Sequence, residues 1–132
     1  MDSLEIKKDK DFIIRSPRQR KAFEYALDQL KTSPVYPFVR RIILYGSCAR
    51  EEEKWDSDVD LFVEIDPLIK EDLPDYKTCL LSLRSLVNTP QILDPETDLH
   101  IELNNDWKDN GGLFYEFVKK EGIEIYSRRE GP

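Results

Sequence analysis

Apolar residues recur along this chain at two spacings, and the longer spacing predicts helices. The first helix is predicted from Ser16 to Lys31, because a serine hydroxyl can cap free N–H groups and Pro17 suits a first turn. Its apolar positions form one stripe, so we expect it to dock on a core through Phe23, Ala26, Leu27 and Leu30.

The same spacing predicts two later helices. One is expected over 72–87, with Asp72 as its cap and Pro74 tolerated in its first turn. A short one is expected from Leu113, and Gly122 should end it. All the predicted helices are thus amphipathic rather than apolar on every side.

Short alternating or continuous apolar runs predict strands over 41–45, 59–65, 98–103 and 123–126. In the second of these, the face that carries Val59 and Leu61 is expected to point inward, and the face that carries Asp60 outward. The order of the elements predicts an α+β fold, a small mixed sheet with helices packed mainly on one face.

The length of 132 residues favours one domain over 1–132, in which residues 1–15 are either a lead-in strand or a loosely docked arm. A net charge of −7 argues against binding to bulk nucleic acid. Two cysteines and a single histidine argue against a disulfide framework or a zinc site. No apolar run approaches the ~20 residues that span a membrane, so we expect a cytoplasmic protein.

The segment between the first two predicted strands carries the candidate chemistry. Gly46 permits a tight turn after the first strand, and Ser47 can begin a helical turn whose N–H groups attract phosphate. Asp58 and Asp60 lie two positions apart, so both carboxylates project from one face, where oxygen ligands suit Mg²⁺ or Mn²⁺. The alternative is that these acids only solubilise a turn and a strand face.

The joint pattern resolves this choice. Gly46-Ser47, ten residues, then Asp58-Val59-Asp60 resembles the signature of the minimal nucleotidyltransferases in the DNA polymerase beta superfamily. Ala49-Arg50 and Ser57 also match that motif. Glu51 departs from it, because many members carry glycine there, and it adds negative charge near the expected triphosphate pocket.

The resemblance implies a set of site residues. A third carboxylate on a neighbouring strand completes the metal site in such enzymes; Asp98 is the first choice, and Glu102 is the alternative on the same face. Together with Asp58 and Asp60, it would hold Mg²⁺ or Mn²⁺. The triphosphate of ATP or another nucleotide would be bound by Gly46, Ser47, Arg50 and Lys54. Tyr45, Cys48 and Trp55 are expected to pack beside this site.

The implied activity is transfer of a nucleoside monophosphate, AMP from ATP, onto a hydroxyl of a protein or small molecule. The resemblance also suggests an antitoxin-like setting, in which the acceptor is a tyrosine on a separate HEPN-type RNase toxin. Two alternatives stay open. Glu51 favours an inactive module that neutralises a partner by contact. An antibiotic-modifying enzyme would need a homodimer to compensate for a missing substrate domain.

Overall fold

A four-stranded mixed sheet organises the computed structural model, which describes residues 14–128. The strands are β1 (Val39–Tyr45), β2 (Val59–Ile65), β3 (Thr97–Glu102) and β4 (Ile123–Ser127). Their order across the sheet is β3-β2-β1-β4, with β3 parallel to β2 and the other pairs antiparallel. All four predicted strands are therefore present. The predicted amino-terminal arm or strand over 1–15 lies outside the described residues, apart from its last two.

The helices are α1 (Pro17–Thr32), α2 (Ile69–Asp72), α3 (Tyr76–Leu86) and α4 (Leu113–Glu121). The prediction for α1 is confirmed in extent, but the Ser16 hydroxyl contacts the Gln19 side chain and makes no cap to a backbone N–H. None of the helices within residues 14–128 is long and apolar enough to cross a membrane.

The predicted start of the second helix is wrong. The chain makes the short helix α2 first, and α3 begins only at Tyr76, after Pro74. Leu73 has extended backbone angles, φ −130° and ψ 91°, because the ring of a following proline disfavours the helical region. Pro74 therefore separates two helices instead of lying in the first turn of one.

The sheet is covered on both faces. On one face, α1 and α3 pack through Ala26, Leu30 and Leu83 onto Val59, Leu61 and Val63, as the inward-facing prediction required. On the other face, Ile43 and Phe62 pack against Trp107 and Val118 of the α4 region. The α+β class with α1 and α3 on one face is confirmed. The face of β2 that was expected to point outward is partly buried, because the apolar side chain of Phe62 packs against the α4 region.

Buried charges lie beneath α4. Glu64 is 2% exposed and accepts a hydrogen bond from Trp107 Nε1 at 2.8 Å. The Arg41 guanidinium lies 3.8 Å from Glu64 and donates to Glu124 at 2.7 Å. Because a buried carboxylate is costly without donors, these contacts stabilise this part of the fold as a unit.

Removing the indole donor should therefore destabilise the fold. We expect Trp107→Phe, which keeps an aromatic ring against Phe62, to lower the free energy of unfolding by about 1–3 kcal/mol. Trp55→Phe is the matched control, because Trp55 is 66% exposed, and it should change stability by less than about 1 kcal/mol. Urea unfolding followed by circular dichroism measures both; equal losses would contradict the assigned role of the Glu64 hydrogen bond.

Candidate active site

A tight turn leaves the sheet at the end of β1. Gly46 has φ +79°, in the left-handed region that glycine adopts readily. Its carbonyl accepts hydrogen bonds from the N–H groups of Ala49 and Arg50, both at 3.1 Å, and the Ser47 carbonyl accepts one from Glu52 at 2.9 Å. The chain thus makes the predicted helical turn directly after the strand.

Gly46 also brings the two halves of the motif together. A Cβ at this position would collide with a carboxylate oxygen of Asp60 and lie 3.1 Å from its Cγ. The absence of a side chain at Gly46 therefore leaves room for the Asp60 carboxylate directly beside the turn. Ten residues of loop separate the two motif elements in sequence, but they are in contact in the fold.

The candidate carboxylates form a group on one face of the sheet. Tyr45, Asp60 and Asp98 are register partners across β1, β2 and β3. Because side chains directly opposite in adjacent strands share a face, the two acids lie side by side on the face that α4 covers farther along. Asp58 is two positions before Asp60, at the entry to β2.

The electrostatics of these groups show that they lie close enough for their charges to interact. Burial and the charges of Asp98 and Asp58 raise the pKa of Asp60 to about 6, and only Arg50 opposes the shift. Burial, Glu96, Asp98 and Asp56 raise the pKa of Asp58. Folding has therefore placed several carboxylates where their negative charges are poorly compensated.

The same charges act on the tyrosine beside them. Burial raises the pKa of Tyr45 well above its ordinary value, and the charges of Asp60 and Asp98 raise it further. The ring packs edge-on against Phe114, with centroids 5.5 Å apart. The prediction that Tyr45 packs beside the site is confirmed.

The donor chemistry fits a hard divalent cation, because the group offers carboxylate oxygens alone and its repulsion would be relieved by positive charge. Asp60 in particular is held beside Gly46 in a space that a side chain would fill. Among residues 14–128, however, no three His, Cys, Asp or Glu side chains stand close enough together to hold a metal ion as they are. The carboxylates share a face, and coordination would require their side chains to turn toward one another.

Of the two candidate cations, Arg50 reaches the site. Its Nε donates to Glu52 at 2.8 Å and its Nη1 to Glu121 at 2.9 Å, and its charge lowers the pKa of Asp60. Lys54 is exposed on the loop, where its backbone N–H donates to Ser57 Oγ at 2.8 Å. Lys54 is not among the charges that shift the pKa of Asp58 or Asp60, so the structure does not bring it to them.

The two candidates for the third carboxylate have different surroundings. Asp98 is the direct neighbour of Asp60, whereas Glu102 is the register partner of Glu64 at the other end of β3. Glu102 accepts a hydrogen bond from the Tyr115 hydroxyl at 2.8 Å and lies 2.5 Å from His100 Nε2. The geometry therefore brings Asp98, and not Glu102, to the other acids.

Glu51, which stands where the motif often has glycine, has an unusual backbone conformation. Glu51 has φ +59°, and no other non-glycine residue in the described range 14–128 has a positive φ. Its side chain is exposed, and its carbonyl accepts a hydrogen bond from Arg15 at 2.6 Å. The conformation explains why glycine suits this position in the motif that the chain resembles.

Two neighbouring side chains differ in their surroundings. Cys48 is buried, and its Sγ lies 3.6 Å from the Asp58 carbonyl; burial and the charge of Glu53 raise its pKa to about 12, so the thiol stays protonated. The expectation that Cys48 packs is confirmed. Trp55 also lies beside the site, with the Arg18 guanidinium 4.0 Å from the centre of its ring, but the residue is 66% exposed.

Sequence reasoning also missed Glu96, which acts on the pKa of Asp58. The signal that could have found it is its position two residues before Asp98, at the entry to a strand parallel to β2. Side chains two positions apart in a strand project from the same face, as in Asp58 and Asp60. This spacing therefore indicates that Glu96 lies on the same side of the sheet as Asp98.

A mixed sheet with a Gly-Ser turn beside Asp60 is the arrangement expected of a nucleotidyltransferase domain, and a family model identifies this class. The model of the polymerase beta nucleotidyltransferase family matches residues 30–131, and the chain belongs to this family. A solved structure of a candidate nucleotidyltransferase from Sulfolobus solfataricus is 14% identical, over 83% of this chain and 90% of that chain, with a TM-score of 0.38. The comparison with curated proteins found no match.

The strained backbone at Glu51 makes a stability prediction. We expect Glu51→Gly to raise the free energy of unfolding by about 0.5–1 kcal/mol, because relief of about 1–2 kcal/mol of left-handed strain exceeds the entropic cost of a glycine. Lys54→Gly is the control in the same loop, since Lys54 has no positive φ, and it should lower stability. Thermal unfolding of the three proteins checks this; a loss in both variants would contradict it.

The raised pKa of Asp60 makes a second prediction, with a definite sign. Its folded-state pKa of about 6 exceeds the ordinary value of 3.8, so its stabilising contribution is complete below about pH 4 and is lost as the pH rises through 6. In EDTA, Asp60→Asn should therefore be more stable than wild type at pH 7.5. We expect a difference of about 1–2 kcal/mol, a figure reduced to allow for the screening of this partly exposed group by solvent. The difference should vanish near pH 4.

Asp66→Asn is the control of opposite sign. Burial opposes the shift, but the Leu68 N–H and the Arg128 guanidinium hold the pKa of Asp66 below its ordinary value. Its contribution is therefore present above the unfolded-state pKa and is lost as the pH falls through the lower folded-state value, so this variant should be less stable than wild type at pH 7.5. Chemical denaturation across pH 4–8 measures both; stabilisation that is independent of pH in Asp60→Asn would argue against charge as its cause.

Proposed function

We propose that this protein is a metal-dependent nucleotidyltransferase that moves a nucleoside monophosphate, AMP from ATP, onto a hydroxyl of a protein or small-molecule acceptor. Family membership supports the reaction class. The observation that carries the proposal is the position of Asp60, which lies between the Gly46 turn on one side and Asp98 on the other. A phosphate-binding turn and an acidic pair are thereby joined in one site.

The proposed roles follow from these positions. Asp58, Asp60 and Asp98 would hold Mg²⁺ or Mn²⁺, which when bound offsets charge on the triphosphate and lowers the pKa of the acceptor hydroxyl. The turn at Ser47 binds the terminal phosphates through its hydroxyl and backbone N–H. Arg50, oriented by its carboxylate partners, adds positive charge beside them.

The covalent step breaks a phosphoanhydride bond of the nucleotide and forms a phosphoester bond to the acceptor. The acceptor oxygen forms a bond to the α-phosphorus while the bond from that phosphorus to the pyrophosphate oxygen breaks. An oxygen of the Asp98 carboxylate takes the proton of the acceptor hydroxyl. The products are a nucleoside monophosphate ester of the acceptor and pyrophosphate.

We also propose the biological setting that the resemblance suggests, in which the acceptor is a tyrosine on a separate HEPN-type RNase toxin. The net charge of −7 supports a positively charged partner, because opposite charges steer association. A protein that binds RNA uses positively charged side chains to contact the phosphates of its substrate.

A second candidate function is a non-catalytic module that neutralises a partner by contact. The observation that favours it is the state of Arg50, which is tied into ion pairs with Glu52 and Glu121 beside an acidic group. A triphosphate must compete with those carboxylates for the guanidinium. Glu51 adds a further negative charge to the same loop.

Nucleotide transfer distinguishes the two candidates. The protein is incubated with Mg²⁺, a candidate acceptor and labelled ATP, GTP, CTP or UTP in turn. We expect Asp58→Asn, Asp60→Asn and Asp98→Asn each to reduce label transfer by at least about 100-fold, because each removes a carboxylate that would hold the metal ion.

The controls test the site and the choice of third carboxylate. Asp66 lies at the opposite end of β2, so the Asp66→Asn variant should retain transfer. Glu102→Gln should retain it too, because Glu102 pairs in register with Glu64 and not with Asp60. Transfer that survives the combined change at Asp58 and Asp60 would reject the site, and loss in Glu102→Gln with activity retained in Asp98→Asn would reverse the third-carboxylate assignment. Failure of wild type to bind nucleotide while it still binds the partner would favour the contact module.

A further inference from the structure

A cavity of about 210 Å³ opens directly beside the candidate site, with Asp58 in its wall. Its other walls come from two loops that are far apart in sequence. The loop before β2 contributes Trp55, and the loop between α3 and β3 contributes Leu93 and Glu96. The mechanism proposed above uses only Asp58 of these residues.

Specific contacts hold the two loops together. Arg18 of α1 donates from Nη2 to the Leu93 carbonyl at 2.9 Å and from Nε to the Trp55 carbonyl at 3.2 Å. Its guanidinium also lies 4.0 Å from the centre of the Trp55 ring. On the far side, the Thr89 hydroxyl donates to Asp94 at 2.7 Å. The cavity is therefore a braced feature of the fold, in which Arg18 is already occupied.

Large apolar side chains rim this cavity and face solvent. Ile92 is 95% exposed, Leu93 is 72% exposed and Trp55 is 66% exposed. Three such side chains around one cavity leave apolar area in water, which burial against a partner would remove. The rim is thus suited to a ligand with apolar groups of its own.

Negative charges outnumber positive ones in the lining of the cavity. Asp56, Asp94 and Glu96 line it together with Asp58, and Arg18 is the cation among the lining residues. Asp56 and Glu96 thus share the wall of one cavity with Asp58. An anionic triphosphate would be repelled here, whereas a cationic group would be attracted.

We propose that this cavity docks the acceptor, and that the acceptor is a hydroxyl-bearing segment of a basic polypeptide. The inference rests on the proposed function, because it assigns the side of Asp58 from which the acceptor approaches. Lysine or arginine side chains of the segment contact Asp94 and Glu96, and an apolar side chain covers Ile92 and Leu93. A small polycation such as an aminoglycoside would satisfy the charges but leave the apolar rim in water.

Trp55 supplies a direct readout that does not depend on catalysis. The probe is a synthetic peptide in which lysines and leucines flank a tyrosine. Two control ligands are compared with it: the same peptide with glutamates in place of the lysines, and kanamycin. We expect the basic peptide to protect the exposed Trp55 from acrylamide quenching, while Trp107, which is 2% exposed, contributes a constant background. Trp55→Phe should remove the protected signal.

Matched variants locate the binding. Ile92→Ser and the pair Asp94→Asn with Glu96→Gln should each weaken binding of the basic peptide at least about tenfold. Leu81→Ser is the control, because Leu81 is 71% exposed on α3 and does not line the cavity, and it should bind like wild type. Circular dichroism confirms that each variant is folded, and these surface changes leave the core intact.

Four outcomes would overturn the inference: no protection by the basic peptide, equal protection by the acidic peptide, protection by kanamycin, or protection that depends only on protein concentration and so reports a second copy. Label transfer from ATP to the peptide is measured alongside. Protection of Trp55 without transfer would count against the proposed reaction while the docking surface stands. Transfer without protection would keep the reaction and reject the docking surface.

Discussion

Uncompensated negative charge on one face of β2 and β3 is the constraint on which the candidate site depends. Parallel pairing fixes Asp98 beside Asp60, and the glycine turn after β1 presses against the same carboxylate. The backbone of neither acid can move away without changing the register of the sheet, which the buried face of β2 specifies strongly. The fold thus holds like charges together, and positive charge from outside the chain is the natural way to relieve them.

The contrast with the other end of the same face separates a structural arrangement from a functional one. Beneath α4, Glu64 and Glu124 are also buried, but Arg41 and the Trp107 indole compensate them within the chain. Near the turn, the cation within residues 14–128 that lowers the pKa of Asp60 is Arg50, and it is shared with other acids. Compensation inside the chain stabilises a fold, and its absence leaves a site that can gain energy by binding a cation.

Local patterns predicted the parts of this structure that local physics determines. Alternation predicted the bounds of β2, and the motif predicted the tight turn at Gly46, because side-chain direction and positive φ are properties of neighbouring residues. The predicted start of α3 was wrong because the effect of Pro74 on the backbone of Leu73 outweighed the tendency of Asp72 to cap a helix. The cavity beside Trp55 is braced by Arg18, which contacts residues 37 and 75 positions away in sequence, and no local pattern encodes such contacts.

The carboxylates also divide the surface into two chemical environments. On the side of Asp60 lie the glycine turn and Arg50, whose positive charge suits phosphate oxygens. On the side of Asp58, the lining is acidic and apolar, which suits a cationic acceptor and repels a triphosphate. In a displacement at phosphorus the attacking and leaving oxygens must lie on opposite sides of the reacting atom. A site whose two sides attract opposite charges would therefore orient both reactants before any bond is made, with the acidic group between them.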